Sequence, residues 1–136
     1  MSLFIDTSAL YALLVGSEKE HSAIARTFRA AAERGRPLVT TSYVLLETIA
    51  LLQHRIGLEA VRDLETHLSP LLHIHWVDQE LHRRGVTRLF RVDRRAVSLV
   101  DAVSFTVMED EGVSDVLGLD AAFAAQGFTL LPETRR

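Results

Sequence analysis

Three acidic residues of this chain lie in stretches that are otherwise largely apolar. Asp6 ends a short apolar run, Glu47 lies in the middle of the stretch 43–52, and Asp101 lies within the stretch 98–108. Removing a lone carboxylate from water is costly, and no Lys adjoins any of the three. Carboxylates brought together in one apolar interior are typical of a site for a divalent metal ion.

Each acidic residue also has a local explanation. Asp6 can cap the helix that follows it, and so can Asp120, which ends a fourth apolar stretch. Asp101 and Ser98 have the spacing of a helix capping box. Glu47 caps nothing at mid-helix, so its alternative role is a partner in a buried ion pair.

The four carboxylates acquire a common explanation if they converge. Two like charges about 4 Å apart repel by about 4 kcal/mol at an effective dielectric constant of 20. Mg²⁺ or Mn²⁺ would remove that repulsion, because both prefer oxygen ligands, and the chain has no Cys to offer a thiolate. An acidic metal site of this kind suits phosphoryl chemistry.

Composition indicates an ordinary globular protein. The chain has 136 residues, is 48% hydrophobic and 24% charged, and is expected to form one domain over 1–136. It has no apolar run near the roughly 20 residues of a membrane span and no leader-like start, so we expect a cytoplasmic protein without membrane contact. The net charge is -3, yet the segment 83–95 holds six Arg and one Asp, a local balance of +5.

Short apolar strands alternate with helical segments along the chain. This alternation predicts an α/β fold with a parallel sheet covered on both faces, and ligands of such sheets bind beyond the carboxyl ends of the strands. Both Asp6 and Asp120 are placed at such an end. The predicted strands are 3–5, 37–40, 72–77, 115–120 and 128–131. Four helices are predicted over 9–15, 20–34, 58–67 and 121–125. Three more are predicted: one around Glu47 that ends before Gly57, one that is capped by Asp78 and runs to about 90, and one through Asp101 that ends near 111.

Four segments together resemble the PIN-domain ribonucleases, in particular the VapC-like toxins of toxin–antitoxin pairs. They occur in order over essentially the whole chain and at family-like spacing. The segments are Leu-Phe-Ile-Asp6-Thr-Ser, the apolar helix with Glu47, Ser98-Leu-Val-Asp101-Ala-Val-Ser-Phe, and Gly-Leu-Asp120-Ala-Ala-Phe with the later Gly127-Phe128.

The resemblance implies a three-layer α/β/α fold with strand order 3-2-1-4-5, an Mg²⁺- or Mn²⁺-dependent endoribonuclease, and often a homodimer with a small antitoxin partner. The family's four acidic, metal-binding positions correspond to Asp6, Glu47, Asp101 and Asp120. Its flanking hydroxyl positions correspond to Thr7 and Ser98. One departure is that Asp120 has apolar neighbours on both sides, where the family often has Thr, Ser, Asn or Asp.

The resulting hypothesis is hydrolysis of RNA at a metal held by Asp6, Glu47 and Asp101. Asp120 would complete that site or support a second, weaker ion. Arg94 and Arg95, with other Arg of the segment 83–95, would contact the RNA backbone; the alternative for this segment is a solvated helix face.

Other functions are also compatible with parts of the sequence. The main alternative is a catalytically silent PIN-like module that acts through a protein partner. His73 and His75 share a strand face and could in principle bind Zn²⁺, although a surface role is the simpler interpretation. A phosphatase with an Asp nucleophile lacks its second Asp here, and a receiver domain lacks its Lys. Phe105, Phe123 and Phe128 are expected in the core.

Overall fold

The structure, a computed structural model, describes residues 1–133 around a five-stranded parallel sheet. Its strand order is β3-β2-β1-β4-β5, which confirms the predicted fold class and order. All residues of the central strand β1 are fully buried, as expected for a parallel strand covered by helices on both faces. The strands are β1 Leu3–Ile5, β2 Leu38–Thr41, β3 His73–His75, β4 Asp115–Leu117 and β5 Thr129–Leu131.

Helices connect the strands and cover the sheet. They are α1 Thr7–Leu14, α2 His21–Glu33, α3 Ser42–Arg55, α4 Leu58–Asp63, α5 Gln79–Val92, α6 Leu99–Glu111 and α7 Ala122–Ala125. A π-helical turn, Leu64–Leu68, and a 3₁₀ turn, Ser69–Leu71, follow α4. Within residues 1–133, no helix is both long and apolar enough to cross a membrane.

Two boundaries near the carboxyl ends of the strands differ from the prediction. The first helix begins at Thr7 rather than at residue 9, so Asp6 is the residue that joins β1 directly to α1. Strand β4 ends at Leu117, three residues earlier than predicted, because the chain leaves the sheet there: the amide of Leu119 donates to the Ser8 hydroxyl at 2.9 Å.

Capping residues mark where several helices begin and end. Thr41 accepts a hydrogen bond from the amide of Val44 at the start of α3, and Asp78 accepts one from Leu81 at the start of α5. Gly112 ends α6 in the left-handed conformation, at φ 66°. The cap at Asp78 and the end of α6 at Gly112 confirm the boundaries that the sequence predicts for these two helices.

An aromatic cluster packs α6 and α7 against the sheet. The rings of Phe105 and Phe123 meet edge to face with centroids 4.9 Å apart, and Phe128 stacks on Phe105 at 5.8 Å. Phe123 also contacts Phe4 of β1. The expected core role of Phe105, Phe123 and Phe128 is confirmed.

Helices α5 and α6 pack closely at Gly85, which is buried. A Cβ atom added to Gly85 would lie only 2.4 Å from Cγ2 of Val103. Val103 is fully buried, and a β-branched side chain in a helix has essentially one favoured rotamer, so it has little freedom to move away. The glycine therefore sets the distance between the two helices.

We expect Gly85→Ala to lower the free energy of unfolding by about 1–2 kcal/mol, because the cost of overpacking exceeds the gain in helix propensity. The measurement is urea unfolding at constant m-value. Gly16→Ala is the matched control, since its added Cβ would have no neighbour within 4 Å, and it should not destabilise.

The double variant Gly85→Ala, Val103→Ala should lose less free energy of unfolding than the two single variants added together, because removing the valine methyls makes room for the new Cβ. Strict additivity of the two losses would contradict this account of the helix contact.

Candidate active site

A pocket with a volume of about 420 Å³ opens beyond the carboxyl ends of β1 and β4. It is called the acidic pocket below, because all four carboxylates singled out in the sequence line it. Helices α1, α3 and α6 supply its other walls. The lining residues are Asp6, Thr7, Ser8, Tyr11, Glu18, Glu47, Leu51, Arg55, Ala96, Ser98, Asp101, Leu119 and Asp120.

Asp6 is the most deeply buried of the four, with 4% of its surface exposed. Its amide donates to the carbonyl of Leu117 at 3.0 Å, which fixes the end of β1 beside the end of β4. Its Oδ2 accepts a 3.3 Å hydrogen bond from the Ser8 hydroxyl, whereas its Oδ1 is buried without a partner. The side chain does not cap α1, so the capping role is wrong for Asp6.

Burial raises the pKa of Asp6 from 3.8 to about 7, and the negative charges of Asp101, Asp120 and Glu47 add to the increase. The backbone amide of Thr7, which adjoins the carboxyl group, acts in the opposite direction and lowers the pKa. The shift corresponds to about 4 kcal/mol against the charged form. The four carboxylates therefore influence one another electrostatically across the pocket.

Asp101 combines a structural role with a position in the pocket. Its Oδ2 accepts from the amide of Ser98 at 3.1 Å, and the Ser98 hydroxyl accepts from the amide of Asp101 at 3.1 Å, which completes the predicted capping box. This arrangement fixes the carboxylate and leaves Oδ1 for another partner. Burial raises the pKa of Asp101 to about 6, despite the opposing hydrogen bonds from Ser98.

Glu47 and Asp120 are half-buried at the edges of the pocket. The ion-pair alternative for Glu47 is wrong, since none of the ion pairs among residues 1–133 includes it. The apolar stretch around it is less buried than its sequence suggests, because Leu46 is 66% exposed. Asp120 is not the N-cap residue of α7, which is Ala121, but it makes a related local contact: its Oδ1 accepts from the amide of Ala122 at 2.9 Å.

The two predicted hydroxyl residues differ in their surroundings. Thr7 is buried, and its hydroxyl oxygen has no hydrogen-bond partner. Ser98 is exposed, and its hydroxyl is engaged in the capping box.

Two neighbours of Asp6 were missed by the sequence interpretation. Ser8 links Asp6 to Leu119, as described above. A Cβ on Gly118 would lie 3.1 Å from both the Asp6 Cβ and the Ser8 hydroxyl, so only glycine fits there without displacing a neighbour. The Gly-Leu-Asp sequence was the available signal for this close approach.

The donor set fits a hard divalent cation. None of the ion pairs among residues 1–133 neutralises any of the four carboxylates, and Asp6, whose Oδ1 has no hydrogen-bond partner, lines the same pocket as the other three. All the donors are oxygens, as Mg²⁺ and Mn²⁺ prefer. Within the same residues, however, no three acidic or His side chains form a ready-made metal-binding cluster.

The Arg-rich segment is partly neutralised. Arg84 forms a bidentate ion pair with Asp110, and Arg88 pairs with Glu109 and lies over the ring of Phe105. These two Arg therefore join α5 to α6, a role that neither sequence interpretation of the segment included.

Arg94 and Arg95 are exposed in the connection to Ser98. Neither lines the acidic pocket: Arg94 borders a separate cavity together with Arg91 and Gln126. Ala96, which follows Arg95 directly in the chain, does line the acidic pocket, so Arg94 and Arg95 are close in sequence to the pocket lining.

The pair of His residues on β3 shares one face, as expected, with ring centroids 6.2 Å apart. His75 lies 3.8 Å from a carboxylate oxygen of Glu111, and no metal-ligand cluster forms around it within the described chain. The Zn²⁺ alternative gains no support from this arrangement.

Comparison with known proteins places the chain among its relatives. The PIN domain family matches residues 3–128. The 23S rRNA-specific endonuclease VapC20, from two strains of Mycobacterium tuberculosis, is 33% identical over 127 residues, covering 93% of this chain and 95% of VapC20.

Solved structures agree with the sequence match. The crystal structure of Mycobacterium tuberculosis VapC20, described as a toxin that cleaves the sarcin–ricin loop, superposes with a TM-score of 0.83 at 32% identity, over 94% of this chain and 97% of that chain. FitAcB from Neisseria gonorrhoeae shares the fold, with a TM-score of 0.68 at 12% identity, over 94% and 95% of the two chains. By family match, sequence identity and fold together, this chain belongs to the PIN-domain family and, within it, to the VapC-like proteins.

Proposed function

We propose that this protein is a divalent-metal-dependent endoribonuclease, the toxin of a VapBC-type toxin–antitoxin pair. The observation that carries the proposal is the buried, unpartnered Oδ1 of Asp6 in a pocket shared with three further carboxylates. The 33% identity to VapC20 over nearly the whole of both chains supports the same activity.

Asp6, Glu47 and Asp101 would hold one Mg²⁺ or Mn²⁺, and Asp120 would complete that site or support a second ion. When bound, the cation would supply charge neutralisation at the scissile phosphate and lower the pKa of a bound water molecule. The four carboxylates would thus act through the cation, which would relieve their mutual repulsion.

The surroundings of the carboxylates keep them in place for this role. The Ser8 hydroxyl orients Asp6 through Oδ2, and the capping box orients Asp101 through Oδ2, so the other oxygen of each is left for a ligand to engage. The unpartnered hydroxyl of Thr7 offers a hydrogen-bond donor to a phosphate oxygen or to water in the same pocket. Pre-organisation of this kind lowers the cost of assembling the reactive geometry.

We propose a structured loop of ribosomal RNA as the substrate class, by similarity to VapC20, and hence action in the cytoplasm. Arg94 and Arg95 would contact the RNA backbone outside the pocket, which positions the RNA without reading its sequence.

The partners proposed are a small antitoxin and a second copy of this chain. A homodimer is supported by an apolar groove beside Glu47, between α3 and α6, where the exposed Leu46 lies close to Leu99 and Val100. The catalytically silent alternative would not require four buried or half-buried carboxylates in one pocket, so the enzyme is favoured.

Asp101→Asn is expected to reduce RNA cleavage at least about 100-fold while preserving the fold, because Asn can keep the capping box but removes a negative charge at the metal position. The assay follows cleavage of an RNA hairpin carrying the sarcin–ricin loop, in Mg²⁺ and in Mn²⁺. Asp63→Asn, on the exposed end of α4, is the matched control and should cleave like the parent. Undiminished metal-dependent cleavage by Asp101→Asn would contradict the proposed site.

In the presence of a chelator, the carboxylates should destabilise the protein as they ionise. The raised native pKa of Asp6 contributes stability that is full below its unfolded value near 3.8 and is lost as the pH rises through about 7. Asp6→Asn should therefore become more stable than the parent as the pH rises across this window, measured as the difference in free energy of unfolding between the two proteins.

Adding Mg²⁺ or Mn²⁺ at pH 8 should raise the free energy of unfolding of the parent protein by about 2.7 kcal/mol when the free metal concentration is 100 times the dissociation constant. The same addition should not stabilise Asp6→Asn. A difference between the two proteins that stays constant with pH, or equal stabilisation of both by the metal, would count against the metal assignment.

A further inference from the structure

One wall of the acidic pocket is basic and aromatic rather than acidic. Arg55, at the end of α3, and Tyr11, on α1, both line the pocket that holds the four carboxylates. The Arg55 guanidinium carbon lies 5.5 Å from the centre of the Tyr11 ring, within the range of a cation–π interaction.

The guanidinium is held by the ring rather than by a carboxylate. Arg55 takes part in none of the ion pairs formed by residues 1–133, although Glu18 and the four carboxylates line the same pocket. The charge of Arg55 is therefore available to a ligand, whereas Arg84 and Arg88 form ion pairs with Asp110 and Glu109.

Tyr11 is a fixed support for this guanidinium. It is half-buried and packs on the small second core formed by Leu52, Ala60 and Leu64, which joins α1, α3 and the region after α4. An Arg stacked on a fixed ring keeps its donor edge free and loses little side-chain entropy when it binds.

The chemistry of a phosphate fits this wall. A guanidinium fork matches phosphate oxygens through two parallel hydrogen bonds, and RNA entering a pocket of five acidic side chains needs a cationic contact besides the metal. We propose that Arg55, oriented by Tyr11, binds an RNA phosphate adjacent to the scissile one. This inference rests on the proposed ribonuclease function and assigns the pair Arg55–Tyr11 to substrate binding.

The test measures binding of a labelled single-stranded RNA to the Asp101→Asn protein, as a function of salt and in the absence of cleavage. Adding Arg55→Ala should weaken binding roughly tenfold or more, as expected for loss of a charge-assisted hydrogen bond. It should also reduce the slope of log K against log salt concentration by about 0.7, the value for one phosphate contact on single-stranded RNA.

Two further variants separate charge from geometry. Arg55→Lys should keep the salt slope but bind more weakly, because a lysine ammonium lacks the planar fork. Tyr11→Leu should also weaken binding at an unchanged salt slope, because the charge remains while its support is lost. Arg62→Ala, on the exposed face of α4 and outside the pocket, is the control and should change neither quantity.

Cleavage kinetics in the parent background distinguish this inference from the proposed function. With Arg55→Ala, we expect KM for the sarcin–ricin hairpin to rise by the factor measured in binding. If the parent cleaves, Asp101→Asn does not, and Arg55→Ala binds and cleaves like the parent, the ribonuclease assignment stands and the role of Arg55 is refuted. An equal loss of affinity in Arg62→Ala would also refute it.

Discussion

The cost of keeping a charge on Asp6 is the constraint on which the rest of the site depends. Asp6 ends the central strand of a parallel sheet, and only 4% of its surface is exposed. Burial raises its pKa to about 7, where the charged and protonated forms are nearly equal in free energy at neutral pH. A bound divalent cation would favour the charged form of Asp6. The buried position that the fold gives Asp6 is therefore what makes a cation stabilising at this site.

The local roles of these residues are compatible with the catalytic roles proposed for them. Asp101 completes a capping box and Asp120 accepts a hydrogen bond from Ala122, yet each uses a single oxygen for the purpose. A carboxylate has two oxygens, so one can stabilise a helix terminus while the other serves a ligand. The local bond then orients the group, and a structural explanation for one residue does not argue against its function.

The sequence was sufficient where the physical signal is local or periodic. Apolar runs ending in Asp6 and Asp120, with helices between them, predicted the parallel sheet, and the family resemblance supplied its strand order. The sequence was insufficient where a contact between two side chains depends on how the chain folds in three dimensions. The ion pairs of Arg84 and Arg88 with α6, the approach of Gly118 to Asp6, and the stacking of Arg55 on Tyr11 each join segments far apart in the chain, and no spacing rule reports such contacts.

Proton release on metal binding tests the central claim most directly. Calorimetric titration of Mn²⁺ into the protein near pH 6.5, in buffers of different ionisation enthalpy, measures the protons displaced by each ion. With native pKa values of about 7 for Asp6 and about 6 for Asp101, the account predicts release of about one proton per ion. That release should fall toward zero above about pH 8 and be largely lost in Asp6→Asn. Binding without proton release near pH 6.5 would show that the carboxylates are already ionised, and would contradict the account.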